Sequence, residues 1–300
     1  MLARLQQLVT LVLLTAASCW SLAWWRSSVL IASCGFIFIV LGYSLFLALE
    51  FVALHALNRN DPAGSARWSE LLQAWWGETR IAPQVFLWRQ PFRSQAVPDF
   101  FPENELRGVV FIHGFVCNRG LWTPWMKKLR EMEHAFIAVN LEPVFGEIDA
   151  YVPIIEAAVQ RVTAATGLAP VLVCHSMGGL AARAWLRQAR ADARVHRIVT
   201  IGTPHCGTWL GRLSPVANGA QMRRGSEWLR QLRSDEPPQR NTLFTCWYSN
   251  CDNIVFPAST ATLAGADNRL LAGTAHVSLA FAPLVLGATI AVICSKGGEM

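Results

Sequence analysis

The residues most able to do chemistry centre on Ser176. Around it the chain reads Val171-Leu172-Val173-Cys174-His175-Ser176-Met177-Gly178-Gly179-Leu180. Three strand-favouring residues run into a serine with small residues beyond it, and a helix-compatible segment follows. A serine at a sharp strand-to-helix turn presents its hydroxyl outward, where it can attack a carbonyl carbon. Glycines at such a turn let the helix pass close to the strand with no side chain between them. The usual spacing is Gly-x-Ser-x-Gly, and here Cys174 stands at the first glycine.

A serine hydroxyl needs a base to take its proton and an acid to orient that base. In the order serine, acid, base, both partners should follow later strands. Asp252 lies in Ser249-Asn250-Cys251-Asp252-Asn253-Ile254-Val255-Phe256-Pro257, just beyond a strand-like run. His276 lies in Ala272-Gly273-Thr274-Ala275-His276-Val277-Ser278-Leu279, just beyond a shorter one. Asp235 and Asp267 are alternative acids, and His205 is an alternative base. The oxyanion formed by attack on a carbonyl needs two backbone N–H donors. Met177 supplies one, and Phe115, in the loop after Val110-Phe111-Ile112-His113-Gly114, supplies the other. His113 reads as a structural residue.

The elements that must position these groups alternate regularly from Gly108 onward. Short apolar strands are expected at 109–113, 136–140, 171–174, 197–202, 243–248 and near Leu270. Helical spacing covers 121–132 and 148–165, where Ile148, Val152, Ile155, Val159 and Val162 recur until Gly167 ends the run. A further helix runs from the serine to about Arg190. Apolar strands separated by helices imply a mostly parallel sheet covered on both faces, a doubly wound α/β fold. Met222, Trp228, Leu229 and Leu232 give residues 211–241 helical spacing, which fits either a cap over the site or a surface helix packed on the core. Residues 277–294 are almost wholly apolar and read as the last helix of the fold.

The front of the chain is different. Hydrophobic residues make up 53% of the sequence and charged ones 15%. Within the first 57 residues only Arg4, Arg26 and Glu50 are charged. Two apolar runs, 5–25 and 29–57, meet at Arg26-Ser27-Ser28 and are long enough for a transmembrane helical hairpin. A signal peptide competes for the first run, with Arg4 as its basic start and Ala16-Ala17-Ser18 before the cut, but Trp20 and the second run argue against simple secretion. Arg4 before the pair and Arg59, Arg67 and Arg80 after it place both ends on the cytoplasmic side; a single span at 29–57 allows the opposite. Residues 58–105 read as a linker and peripheral segment. It holds a turn at Asp61-Pro62-Ala63-Gly64, an amphipathic helix at 66–76 carrying Trp68, Leu71, Leu72, Trp75 and Trp76, a strand at 84–90 and a proline-rich loop to 105. Residues 106–300 then form the catalytic domain.

The formal charge of +6 is scattered, which suits an anionic membrane surface and not nucleic acid. Eight cysteines include no paired Cys-x-x-Cys motif, so structural zinc is not indicated. Cys246 and Cys251 could pair in an oxidising space, but free, buried thiols are the favoured reading.

The chain resembles the lipase and esterase branch of the α/β-hydrolase family. The resemblance rests on His-Gly-Phe at 113–115, His-Ser-Met-Gly-Gly at 175–179, Ile-Gly-Thr-Pro-His-Cys-Gly-Thr at 201–208 and Asp-Asn-Ile-Val-Phe-Pro at 252–257, and covers about residues 108–280. These motifs are similar to those of bacterial triacylglycerol lipases. It departs at Cys174, at Cys206 where a second histidine is common, and at Ala275 where glycine often precedes the histidine. The resemblance implies a Ser176–Asp252–His276 triad and an oxyanion hole at Phe115 and Met177, and no sequence pattern points to a metal, calcium or an organic cofactor. With the apolar front, it implies a multi-pass serine carboxylester hydrolase of a bacterial inner membrane, acting on lipid or other small esters. An acyltransferase on the same fold and a catalytically inactive membrane scaffold are the alternatives. Oligomeric state is left open.

Overall fold

The computed structural model of the chain describes residues 1–295. Residues 296–300, the end of the expected catalytic domain, lie outside the described residues. The front of the chain is helical: α1 (Leu2–Trp24), α2 (Val29–Leu41), α3 (Tyr43–Leu57) and α4 (Trp68–Pro83). Ser28 caps α2 by accepting from the Ile31 N–H, which sets the hairpin between α1 and α2. The second apolar run is not straight: α2 and α3 meet at Gly42 with a 50° bend. Helix α1 is long and apolar enough to cross a membrane, and so is the α2–α3 pair if it is one bent span.

The strand expected at 84–90 does not form. Gln84–Arg89 instead continues α4 as a π-helix. Pro83 is the cause, because it has no N–H to donate to the carbonyl four residues back. That carbonyl, Thr79 O, takes its hydrogen bond from the Tyr43 hydroxyl of α3, 2.5 Å away. The ladder defect of α4 is thus the docking point of α3. Helix α4 is also longer than the amphipathic pattern foretold. It buries Leu71 and Ala74 and leaves Trp68, Leu72 and Trp76 exposed. The Asp61 turn is pinned, since its carboxylate accepts from the Ser259 N–H and hydroxyl.

Six parallel strands form the sheet: β1 (Val109–Ile112), β2 (Phe136–Ala138), β3 (Val171–His175), β4 (Arg197–Ile201), β5 (Phe244–Tyr248) and β6 (Asp267–Leu270), in the order β2-β1-β3-β4-β5-β6. Buried strand residues alternate between two cores, as the period of two requires. Val110, Ile112, Leu172, Cys174 and Ile198 face one side, beneath α6 (Val152–Thr166) and α7 (Met177–Ala189). Val109, Phe111, Val173, Val199 and Ile201 face the other. There α5 (Thr123–Glu131) contributes Trp125, Met126 and Leu129. The last helix, α9 (Pro283–Cys294), adds Val285 and Ile293 to the same core, so it is a covering helix of the sheet despite its apolar length. Chain order reverses direction between β1 and β3, and ligands of such sheets bind at the strands' carboxyl ends there. β3 ends in His175-Ser176.

Residues 211–241 carry α8 (Glu227–Ser234), which places Leu229 and Leu232 in the core beside α7. Arg183 of α7 holds the end of this segment. Its guanidinium donates twice to Glu236 and once to the His205 carbonyl, with both side chains at most 5% exposed. Breaking a buried pair strands one charge. Glu236→Ala should therefore cost about 3–5 kcal/mol, and Arg183→Met with Glu236→Leu should recover most of it. Thermal unfolding of the three proteins checks this; an unchanged melting temperature in Glu236→Ala would contradict it.

Candidate active site

Ser176 sits between β3 and α7 with φ 54° and ψ −128°, a backbone conformation that side chains rarely adopt. Such strain persists only where surrounding contacts over-determine it. Its N–H donates to the Ile201 carbonyl, extending the β3–β4 ladder by one bond, and its carbonyl accepts from the Thr203 hydroxyl. Gly178 makes the turn possible: a Cβ there would lie 2.5 Å from the Ile112 carbonyl oxygen and 2.8 Å from that of His113. Cys174 needs no such freedom. It is an ordinary residue of β3, fully buried in the α6–α7 core, so the position of the missing elbow glycine has room for a small side chain.

Asp252 and His276 meet at this edge. His276 Nδ1 lies 2.9 Å from Asp252 Oδ2, and Asp252 Oδ1 accepts from the Ile254 and Val255 N–H groups. Gly202, at φ 59°, leaves the space for this pair, since a Cβ there would lie 2.8 Å from Asp252 Oδ2 and 3.0 Å from His276 Nδ1. Ser176, His276 and Phe115 line one cavity of about 410 Å³. The Phe115 loop is close, because a Cβ on Gly114 would lie 2.7 Å from Ser176 Cβ. Met177 opens α7, where a backbone N–H has no intrahelical acceptor.

Three buried histidines cluster here with different electrostatics. Burial pushes the His113 pKa down to about 4. Its ring is a structural bridge, donating to the Gly114 carbonyl and accepting from the Leu141 N–H. Burial, then the neighbouring His276, holds His175 well below the usual imidazole value, and its Nε2 donates to the His276 carbonyl. Burial opposes charge at His276 too. Asp252, reinforced by Glu78 and Glu50, outweighs it and raises the His276 pKa above its ordinary value. His276 is thus the basic imidazole of the three.

Two acids that the sequence reading did not assign to the site hold this loop from the front of the chain. Glu78 of α4, itself buried, accepts from the Val277 N–H, the Ser278 N–H and the Ser278 hydroxyl. Glu50 of α3 accepts from Asn253 Nδ2 at 2.6 Å, and Asn253 Oδ1 accepts from the His276 N–H. Gln6 of α1 does the same for the other side. It donates to Gln90, whose side chain receives the Asn118 N–H, and lies 3.5 Å from the Val116 carbonyl. Glu50 was visible as the one charged residue within an apolar run, the usual mark of a functional contact. Glu78 carried no such mark.

The remaining candidates are occupied elsewhere. His205 contacts Thr200 and Cys246, Asp235 lies 3.5 Å from Arg187, and Asp267 pairs with Arg269. Cys246 and Cys251 are buried free thiols, and no cluster suited to a metal ion occurs among the described residues. Among the described residues, none from 211–241 lines the Ser176 cavity; its roof comes from α1 to α4.

A sequence model described as "Alpha/beta hydrolase family" matches residues 109–292. The chain belongs to the alpha/beta hydrolase family. Solved structures agree on the fold. The mature form of the Bacillus licheniformis lipase BlEst2 is 18% identical with a TM-score of 0.58, the match covering 66% of this chain and 96% of that one. Aspergillus fumigatus lipase B is 17% identical with a TM-score of 0.54, covering 66% and 58%. No curated protein matches the sequence. The family match begins at β1, so α1 to α4 lie outside it.

The sign of the His276 shift has a kinetic consequence for this alpha/beta hydrolase. With His276 as the candidate base, only its neutral form accepts a proton, and activity is expected to fall as pH drops through its raised pKa. The acid limb of kcat/KM for an ester should lie above pH 6.5, the ordinary imidazole value. Asp252→Asn removes the carboxylate that favours the imidazolium; the limb should move to lower pH and kcat should fall about 10³–10⁴-fold. A pH–rate profile unmoved by the substitution would contradict the assignment.

Proposed function

We propose that the protein is a membrane-associated serine carboxylester hydrolase acting on lipid or acylglycerol esters. The observation that carries this reading is a serine in a strained strand-to-helix turn that lines one apolar cavity with His276, whose ring is paired behind it with the buried Asp252. Ser176 Oγ attacks the ester carbonyl while His276 Nε2 takes its proton, and the Nδ1–H stays donated to Asp252. The N–H groups of Phe115 and Met177 receive the oxyanion. His276 returns the proton to the leaving alcohol, which leaves an acyl-Ser176, and water activated by the same imidazole then releases the carboxylate.

In this reading residues 106–300 are the catalytic domain, 1–57 the membrane-associated segment and 58–105 the connection that packs against both. The length and apolarity of α1 and of the α2–α3 pair support membrane association, and so do their exposed faces. The positive charges flanking the pair favour a cytoplasmic catalytic domain. Lipids are the substrates such a position supplies.

The test is Ser176→Ala. Hydrolysis of a p-nitrophenyl ester by the purified protein should fall about a thousandfold or more. Activity close to that of the unsubstituted protein would rule the mechanism out.

A further inference from the structure

The cavity over Ser176 has two chemical ends. Its polar groups, including His175, Ser176, Asn253 and His276, sit together at the floor. Every other part of the wall is apolar apart from Tyr43 and the two carboxylates that dock the helices. Leu13, Ile39, Val40, Phe46 and Leu47 come from α1, α2 and α3. Ala82, Phe86 and Leu87 come from α4 and its π-helical extension. The family match, starting at Val109, includes none of these eight residues.

This roof is seated, not draped. Phe51 and Leu54 of α3 share an apolar cluster with Cys251, Phe256 and Ala275, residues of the very loops that carry Asp252 and His276. Tyr43 and Glu50 fix α3 to α4 and to Asn253 by hydrogen bonds. The rim of the chamber is apolar on its outside as well. Phe46 lines the chamber yet is 63% exposed, and Leu13 lines it while also facing outward on α1. Around them Leu45, Leu49, Leu8 and Val9 are exposed. Phe46 and Leu13, exposed outside yet lining the chamber, offer an alkyl chain an apolar entry from the outer face of these helices, whereas a polar substrate would lose its hydration there.

The geometry points to a fatty acyl site whose wall is built by the N-terminal helices, so that α2 and α3 set the acyl-chain preference of the hydrolase and admit the chain from the lipid phase. This rests on the ester-hydrolase reading above and adds to it the ligand class and the residues that select it. The acyl chain lies against Val40, Leu47 and Phe86 with its carbonyl at Ser176. The alcohol portion remains toward the Phe115 side of the cavity.

Opposite substitutions on the two helices test this. Val40→Trp fills the chamber, and Phe46→Ala widens its mouth. Each methylene kept out of apolar surroundings costs about fourfold in transition-state binding. With the full-length protein in phospholipid nanodiscs and p-nitrophenyl esters from acetyl to palmitoyl, Val40→Trp should lower the palmitoyl-to-acetyl ratio of kcat/KM by more than about tenfold. Phe46→Ala should shift the optimum toward longer chains. Opposed shifts of this kind do not arise from loss of folded protein. Chain-length profiles that match the parent's in both variants, or parallel loss at every chain length in both, would overturn the inference. A parent protein that hydrolyses none of the esters, or a Ser176→Ala protein that hydrolyses them equally well, would instead overturn the ester-hydrolase reading.

Discussion

One buried imidazole sets the terms for the rest of the molecule. His276 is packed away from water, where a charged ring is disfavoured, yet three carboxylates act on it and raise its pKa. Asp252 does so by direct contact, in space that only a glycine at 202 leaves free. Glu78 and Glu50 also hold the loop itself, one through the Val277 and Ser278 donors and the other through Asn253. The same arrangement that keeps His276 basic therefore fixes where it points. His113, where burial outweighs the pull of Glu142, and His175, lowered by burial and by His276, are driven the other way.

Two of those three carboxylates lie outside the α/β core. A buried polar group in an apolar helix is expensive, and it persists where a specific partner satisfies it. Glu50 meets that condition through Asn253, and Gln6 meets it through Gln90 beside the Phe115 loop. The helices at the front of the chain thus reach both the loop that carries His276, from α3 and α4, and the loop that follows Phe115, from α1. Pro83 adds a further constraint. By withdrawing an N–H from α4 it frees the Thr79 carbonyl for Tyr43, and the bend at Gly42 brings α3 into position to make that bond. Segments that look separable by composition are joined by hydrogen bonds that only their few polar residues can make.

The sheet was legible because its signal is local and repeated. β1 to β5 are short, largely apolar runs and each helix carries its own period, so these elements fall where the pattern places them, whereas β6 is polar and exposed and only its end near Leu270 was marked. Strand ends and chain order were enough to single out Asp252 and His276 from the sequence, and the two side chains do meet. Residues 84–90 misled because Val85, Phe86, Leu87 and Trp88 suit a strand, while the decisive residue, Pro83, acts on the helix before them. The bend at Gly42 is invisible to hydropathy, which reads 29–57 as one run. Glu50 carried a warning in its chemistry, but its partner Asn253 lies 203 residues away and no spacing rule connects them.

The central claim is that Ser176 is the activated nucleophile at the floor of the apolar chamber. The most direct measurement is covalent: the full-length protein in nanodiscs is treated with a long-chain alkyl fluorophosphonate, digested, and the modified peptide sequenced by mass spectrometry. The account predicts a single adduct on Ser176, formed fastest above the pKa of His276. Absence of an adduct on folded protein, or an adduct on another residue with Ser176 unmodified, would contradict it.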